Sequence, residues 1–216
     1  MTQESTHGQI MFTGLVRTQG TIRRVDQRGD CMVTIAMMEP FAVEVGDSIC
    51  CQGICLTAVK TNDNEFKVSL SAETMNRSTA KHWSVGHVIN LEPSLRVGDA
   101  MGGHVVSGHI DGVARAVASE KSGDSTRWEF EVPPHLARFI APKGSVTLDG
   151  VSLTVNTVSD TPLSDTAAAP TVTRFCVNII PHTAKVTGFS RLQVGDDVNL
   201  EIDMLARYVA RLAGAK

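Results

Sequence analysis

The chain has 216 residues, 42% of them hydrophobic and 20% charged, with a formal net charge of −3. That composition suits a soluble globular protein of one large domain or two small ones. It excludes a membrane-spanning helix, because no apolar run approaches the roughly 18 residues required, and without a basic cluster it argues against a nucleic-acid partner.

Taken in chain order, residues 1–10 are polar and carry no basic-then-apolar leader pattern, so they are expected to form a flexible extension ahead of Met11. "MFTGLV" (11–16) follows, and then "DSICCQGICLTAV" (47–59), which reads as two short strands turning at Gln52-Gly53. "KVSLS" (67–71) alternates on the two-residue period of a strand. Residues 96–103 form a link. "GGHVVSGHIDG" (102–112) and "GSVTLDGVSLTVN" (144–156) come next, the latter a hairpin around Asp149-Gly150. "SDTPLSDTAAAPT" (159–171) reads as an exposed loop. "CVNII" (176–180) alternates again, and Gly20, Gly46, Gly86, Gly144 and Gly195 are expected to punctuate strands. Residues 203–214 have a helical stripe of Met204, Leu205, Tyr208, Val209 and Leu212, with Asp203 to cap the start and Gly214 to follow the end.

The same blocks occur twice in the same order. Ser48, Gly53, Leu56 and Thr57 match Ser145, Gly150, Leu153 and Thr154. Gly14 matches Gly108, "SAET" (71–74) matches "IPHT" (180–183), and "VINLEPS" (88–94) matches "DVNLEID" (197–203). A period near a hundred residues means two copies of one domain. Many short strands with turns suggest a small closed barrel for each copy.

Positions that differ between copies are where one copy does something the other does not. Cys55 becomes Ser152, and each shares a strand face with a threonine, Thr57 or Thr154. Leu15 becomes His109, whose imidazole suits proton transfer near neutral pH. His104 and His109 are five apart, so regular strand geometry puts them on opposite faces, as poor joint metal ligands. Glu73 faces His182 in the alignment, and Ser94 faces Asp203. The five cysteines are odd in number, and Cys50, Cys51 and Cys55 lack the usual zinc-knuckle spacing, so reduced thiols in a cytoplasmic protein without a metal are expected. None of the common nucleotide, hydrolase or metalloprotease motifs is visible.

These motifs, from Met11 to the end of the chain, closely resemble the riboflavin synthase alpha-chain family. The resemblance implies an all-β fold: two tandem, similar six-stranded Greek-key β-barrels (residues 11–97 and 98–202), then a C-terminal trimerisation helix (203–216). It implies a cofactor-independent exchange of a four-carbon unit between two molecules of 6,7-dimethyl-8-ribityllumazine, giving riboflavin and 5-amino-6-ribitylaminouracil. It further implies a homotrimer with sites between subunits, and association with lumazine synthase. Carried over by position, the first pocket would use Gly14, Leu15, Val16, Cys55, Leu56 and Thr57, continuing through Ser69, Leu70, Ser71, Ala72, Glu73 and Thr74, with Phe12 at its edge. The second would use Gly108, His109, Ile110, Lys143, Ser152, Leu153 and Thr154, with Ile179, Ile180, Pro181, His182, Thr183 and Ala184. His109 would handle protons, helped by Ser152 and Thr154, with Cys55 a polar or nucleophilic aid and Asp203 an acid/base or supporting group. Related luminescence accessory proteins share the double barrel but bind one fluorophore; polar motifs kept in both copies favour the enzyme.

Overall fold

The computed structural model describes residues 11–27, 30–162, 164, 166 and 171–214. The expected N-terminal extension lies outside the described residues. The first half contains β1 (Thr18–Asp26), β2 (Cys31–Met37), β3 (Ser48–Cys51), β4 (Ile54–Thr61), β5 (Glu65–Leu70), α1 (Ala72–Arg77) and β6 (Val88–Pro93). The second contains β7 (Gly112–Ser122), β8 (Ser125–Val132), β9 (Ser145–Leu148), β10 (Val151–Pro162), β11 (Thr171–Ile179), α2 (Pro181–Val186) and β12 (Asp197–Ile202), and α3 (Met204–Leu212) ends the chain.

Each set of six strands closes into a barrel, in the order β1-β2-β5-β4-β3-β6 and, equivalently, β7-β8-β11-β10-β9-β12. The two-residue alternation produces this closure. In β2, Cys31, Val33, Ile35 and Met37 are buried while the residues between them are not. The first core gathers Ile22, Ile35, Phe66, Val68 and Leu91, and the second Phe130, Val146, Leu148, Phe175 and Leu200. Phe130 stacks on Phe175 with ring centroids 5.7 Å apart.

Both predicted hairpins form. Gln52 and Asp149 adopt φ of 52° and 49°, and Gly53 and Gly150 follow with positive φ, as a two-residue turn of this hand requires. The two tips meet back to back on the pseudo-twofold axis between the barrels. Asn199 Nδ2 donates to the Gln52 carbonyl (2.8 Å) and Asn90 Nδ2 to the Asp149 carbonyl (2.9 Å). A Cβ on Gly53 would lie 2.8 Å from the Gly150 nitrogen, so only glycine fits the joint.

Three expectations need correction. Gly20 does not punctuate a strand; it lies inside β1, where a side chain would strike Leu91 and Ile35. Both ends of the expected 159–171 loop are strand, because β10 runs through Pro162 and β11 begins at Thr171; cross-strand pairing of Ser159, Asp160, Thr161 and Pro162 overrides their turn-like composition. The segments read as strand ends at 71–74 and 180–183 are helix starts. Ser71 caps α1 by accepting from the Thr74 N–H (3.2 Å), and Pro181 opens α2.

Candidate functional site

Two crossed segments build the site. Phe12 and Val106 exchange both backbone hydrogen bonds, at 2.8 and 3.0 Å, so the strips before β1 and β7 run antiparallel. Each strip then leans on the other copy's barrel. The Ser152 N–H donates to the Gly14 carbonyl, and the Cys55 N–H to the Gly108 carbonyl, both at 2.9 Å. Gly14 lies so close to Ser152 that a Cβ would come within 2.6 Å of the serine Cβ, and Gly108 bears the same relation to Cys55. A buried carboxylate anchors each strip at its base. Glu92 accepts from the Thr13 N–H (2.7 Å), the Thr13 hydroxyl (2.7 Å) and the Gly14 N–H (3.0 Å). Glu201 accepts from the Ser107 N–H (2.7 Å), the Ser107 hydroxyl (2.6 Å) and the Gly108 N–H (2.9 Å). Burial pushes both carboxyls above their ordinary pKa, and these hydrogen bonds pull back against it.

The expected grouping of pocket residues is therefore crossed. Gly108, His109 and Ile110 belong with Cys55, Ser71, Glu73 and Thr74, around a cavity of about 460 Å³ that also takes in Arg77. Gly14 and Val16 belong with Ser152: Val16 packs on the second core, as Ile110 packs on the first. Leu15 stands exposed beside Gly102. The physical reason is the Phe12–Val106 exchange, which sends each strip across the axis.

Alternation sorts the remaining candidates. Cys55 and the exposed Thr57 share the outer face of β4, while Leu56 points into the core, as does Leu70 at the end of β5. Ser69 is half-buried on the outer side and Ala72 is exposed at the start of α1. In the second barrel Ser152 is half-buried and Thr154 exposed; Leu153 and Ala184 pack against the core, and Ile179 is buried. Lys143, Ile180, Pro181 and His182 are exposed, and Thr183 is half-buried. Phe12, expected at a pocket edge, is fully buried between Cys50 and Val106, behind Cys55. Within one chain His109 is grouped with Cys55, not with Ser152 and Thr154 as expected.

The partner of Ser152 is His104. Its Nδ1 lies 2.7 Å from Ser152 Oγ, and its Nε2 lies 3.1 Å from Thr147 Oγ1. Sequence reasoning weighed His104 only as a joint metal ligand with His109 and gave it no role in the site; residues 102–111 are irregular apart from the Val106 bridge, so no strand pattern marked it. The adjacent glycines were the signal that backbone and ring approach something closely there. Burial lowers the His104 pKa, and the nearby Asp203 carboxylate works the other way. Asp203 also caps α3, accepting from the Leu205 N–H at 2.8 Å. The Cys55 thiol is pushed up by burial, partly offset by a hydrogen bond with Ser48. Cys51 faces the barrel core and Cys50 faces Phe12 and Val106, so the three neighbouring cysteines do not converge on one point. Among the described residues no cluster of three or more His, Cys, Asp or Glu could hold a metal ion. Nor is any helix there long and apolar enough to cross a membrane.

The Lumazine binding domain family model matches the chain twice, over residues 13–94 and 107–203. A riboflavin synthase of Brucella abortus is 42% identical over 210 residues, covering 94% of this chain and 98% of the relative. Another, of Photobacterium phosphoreum, is 38% identical and covers 94% and 88%. Among solved structures, LumP complexed with riboflavin superposes with a TM-score of 0.73 at 24% identity, over 89% of this chain and 99% of that one, a likeness of fold.

Proposed function

The chain belongs to the riboflavin synthase family, and from that premise we propose how its two barrels divide the reaction. The enzyme is a cofactor-independent transferase that takes two molecules of 6,7-dimethyl-8-ribityllumazine. One lumazine gives a four-carbon unit to the other, yielding riboflavin and 5-amino-6-ribitylaminouracil.

One observation carries the reading: one fold presents two related but chemically different sites, with Cys55 and His109 at one and Ser152 and His104 at the other. Two identical substrates need two similar cradles. Donor and acceptor roles need those cradles to differ. Much of the rate enhancement then comes from holding two rings face to face, and the site groups move protons to and from the C7 methyl carbon and the ring.

The two sites of one chain lie on separate barrels, so pairing two rings requires the first barrel of one subunit to face the second barrel of another. We take the assembly to be a homotrimer built through α3. That helix leaves Leu205, Tyr208, Val209 and Leu212 between 61% and 87% exposed, an apolar stripe that favours burial against a partner chain. In that assembly His109 of one subunit would meet Ser152 and Thr154 of the next. Cytoplasmic residence and association with lumazine synthase are part of the same reading; co-sedimentation of the two purified proteins tests the latter.

The test is absorbance after mixing the pure protein with 6,7-dimethyl-8-ribityllumazine and nothing else. The expected result is growth of the riboflavin band, with two lumazines consumed per flavin. Tight binding without turnover would refute the synthase reading and leave a fluorophore carrier.

A further inference from the structure

The second barrel holds a polar device that the first lacks. Cys50 and Cys55 are direct partners across the β3–β4 ladder, and Thr147 and Ser152 are partners at the equivalent place across β9 and β10. Phe12 and Val106 close over Cys50 in the first barrel. In the second, the imidazole of His104 spans the two hydroxyls instead, at 2.7 Å to Ser152 and 3.1 Å to Thr147.

The backbone is shaped to put it there. The His104 N–H reaches the Thr13 carbonyl at 3.2 Å. A Cβ on Gly103 would fall 2.0 Å from that same oxygen and 3.1 Å from Ser152 Oγ, so the chain passes where no side chain fits. Thr147 is 1% exposed, which leaves its hydroxyl sealed from water behind the ring. Ser152 is half-buried, on the outward side of the ring.

We propose that His104 is a positioning residue for the reaction: it holds the Ser152 hydroxyl and stores the proton that Ser152 passes on, which makes the second barrel the proton-moving half. Resting on the synthase reading, the step balances simply. Ser152 Oγ takes a proton from the bound lumazine as its own hydroxyl proton moves to His104 Nδ1. The imidazolium that results lies in the field of Asp203, the charged group that bears on it from the start of α3. The ring's hydrogen-bond partners, Thr147 and Ser152 on β9 and β10, do not titrate in this range. The transfer reverses when a leaving group needs the proton. The division of labour differs from Ser-His-Asp catalysis in one respect: the Thr147 hydroxyl, not a carboxylate, meets the second ring nitrogen and orients the imidazole.

The experiment compares His104→Gln, His104→Ala, Ser152→Ala and the His104→Ala/Ser152→Ala double variant with the wild type from pH 5 to 9. Gln keeps hydrogen-bonding capacity but cannot take up a proton. Both His104 variants are expected to lose about 100-fold in kcat, with KM moving by less than about 3-fold and the acid limb of the kcat profile gone. Adding Ser152→Ala to His104→Ala should cost nothing further, because the two act as a unit. An acid limb that persists, losses that multiply, or a His104→Gln variant as fast as wild type would overturn the proposal. NMR titration of the His104 ring in wild type and Ser152→Ala needs no turnover and so separates the two readings. A His104 titration that does not move when Ser152 is removed counts against the pairing even if the protein proves to be a carrier.

Discussion

Asp149→Asn should stabilise the protein above neutral pH and leave it unchanged in acid. Asp149 occupies the left-handed turn position that Gln52 fills in the first copy, and it meets the Asn199 N–H at 2.8 Å through Oδ1. Burial pushes its carboxyl from an ordinary value of 3.8 up to about 7, with the Asn199 and Gln52 hydrogen bonds opposing the shift. A folded-state pKa above the unfolded one has a definite sign. The stability is complete below about pH 4, falls as the unfolded chain ionises, and is lost by the time pH has risen through the folded value. Three units would correspond to about 4 kcal/mol. Asp149 is half-buried, so solvent screening reduces that to about 2 kcal/mol. Asparagine tolerates the turn and offers Asn199 the same oxygen, so the substitution removes the ionisation and little else. Urea unfolding at pH 3, 7 and 8.5, at fixed protein concentration, should give coincident midpoints at the lowest pH and a higher midpoint for Asp149→Asn at the highest. A variant that is less stable at pH 8.5 would mean the carboxylate is favourably solvated or paired, and the reasoning would fail.

The crossed strips supply a second test. Gly108→Ala puts a methyl 2.6 Å from Cys55 Cβ at φ +74° and should cost about 3 kcal/mol or more, whereas Gly98→Ala, at φ +97° with nothing within 4 Å, should cost only about 1–2 kcal/mol in the same melts. Glu201→Gln replaces one acceptor oxygen by a donor opposite the Ser107 and Gly108 N–H groups; about 2 kcal/mol of stability should go, and Glu92→Gln should match it by symmetry. Because burial keeps the Cys55 thiol protonated at neutral pH, Cys55→Ser should retain turnover within about 10-fold, and iodoacetamide labelling of Cys55 should be slow at pH 7 and accelerate up to and beyond pH 9. Full loss of activity in Cys55→Ser would point to a covalent role. Arg207→Ala breaks a 2.8 Å ion pair with the largely buried Asp111, and should loosen α3 and weaken self-association in sedimentation equilibrium.

What the sequence made legible was local or repeated. The Gln52-Gly53 and Asp149-Gly150 corners carry their turn chemistry in two residues, Asp203 declares its cap, and β5 declares its inward face by alternation. The register of the repeat led to two domains because every shared block preserves order. What stayed hidden was non-local. Aligning Gly14 with Gly108 says that they play the same part, but not that each plays it against the other copy's barrel, since the Phe12–Val106 bridge leaves no periodic trace. Strand parity kept His104 and His109 apart but could not say what His104 meets, because residues 102–111 form no ladder beyond the Val106 bridge. The capping signals at Ser71 and Pro181 were present but short, and lay under the stronger alternation of β5 and β11.

The crossing also bears on why two similar barrels share one chain. If each barrel's site were built from its own strip, the two halves would be separable units, and a mixture of free halves would do the same work. Here Cys55 takes its backbone acceptor from Gly108 and Ser152 takes its own from Gly14, so neither site is complete without the other copy's leading segment. The carboxylates reinforce this. Glu92, on the first barrel's β6, holds the strip that serves the second barrel, and Glu201, on β12, holds the strip that serves the first. Covalent tandem linkage makes that exchange intramolecular, at an effective concentration that free halves would match only at about millimolar levels. Separately expressed halves, residues 11–97 and 98–216, should therefore regain wild-type Cys55 labelling rates only when mixed. A first half that showed the wild-type rate alone would mean that the Gly108 strip is not needed to shape its site.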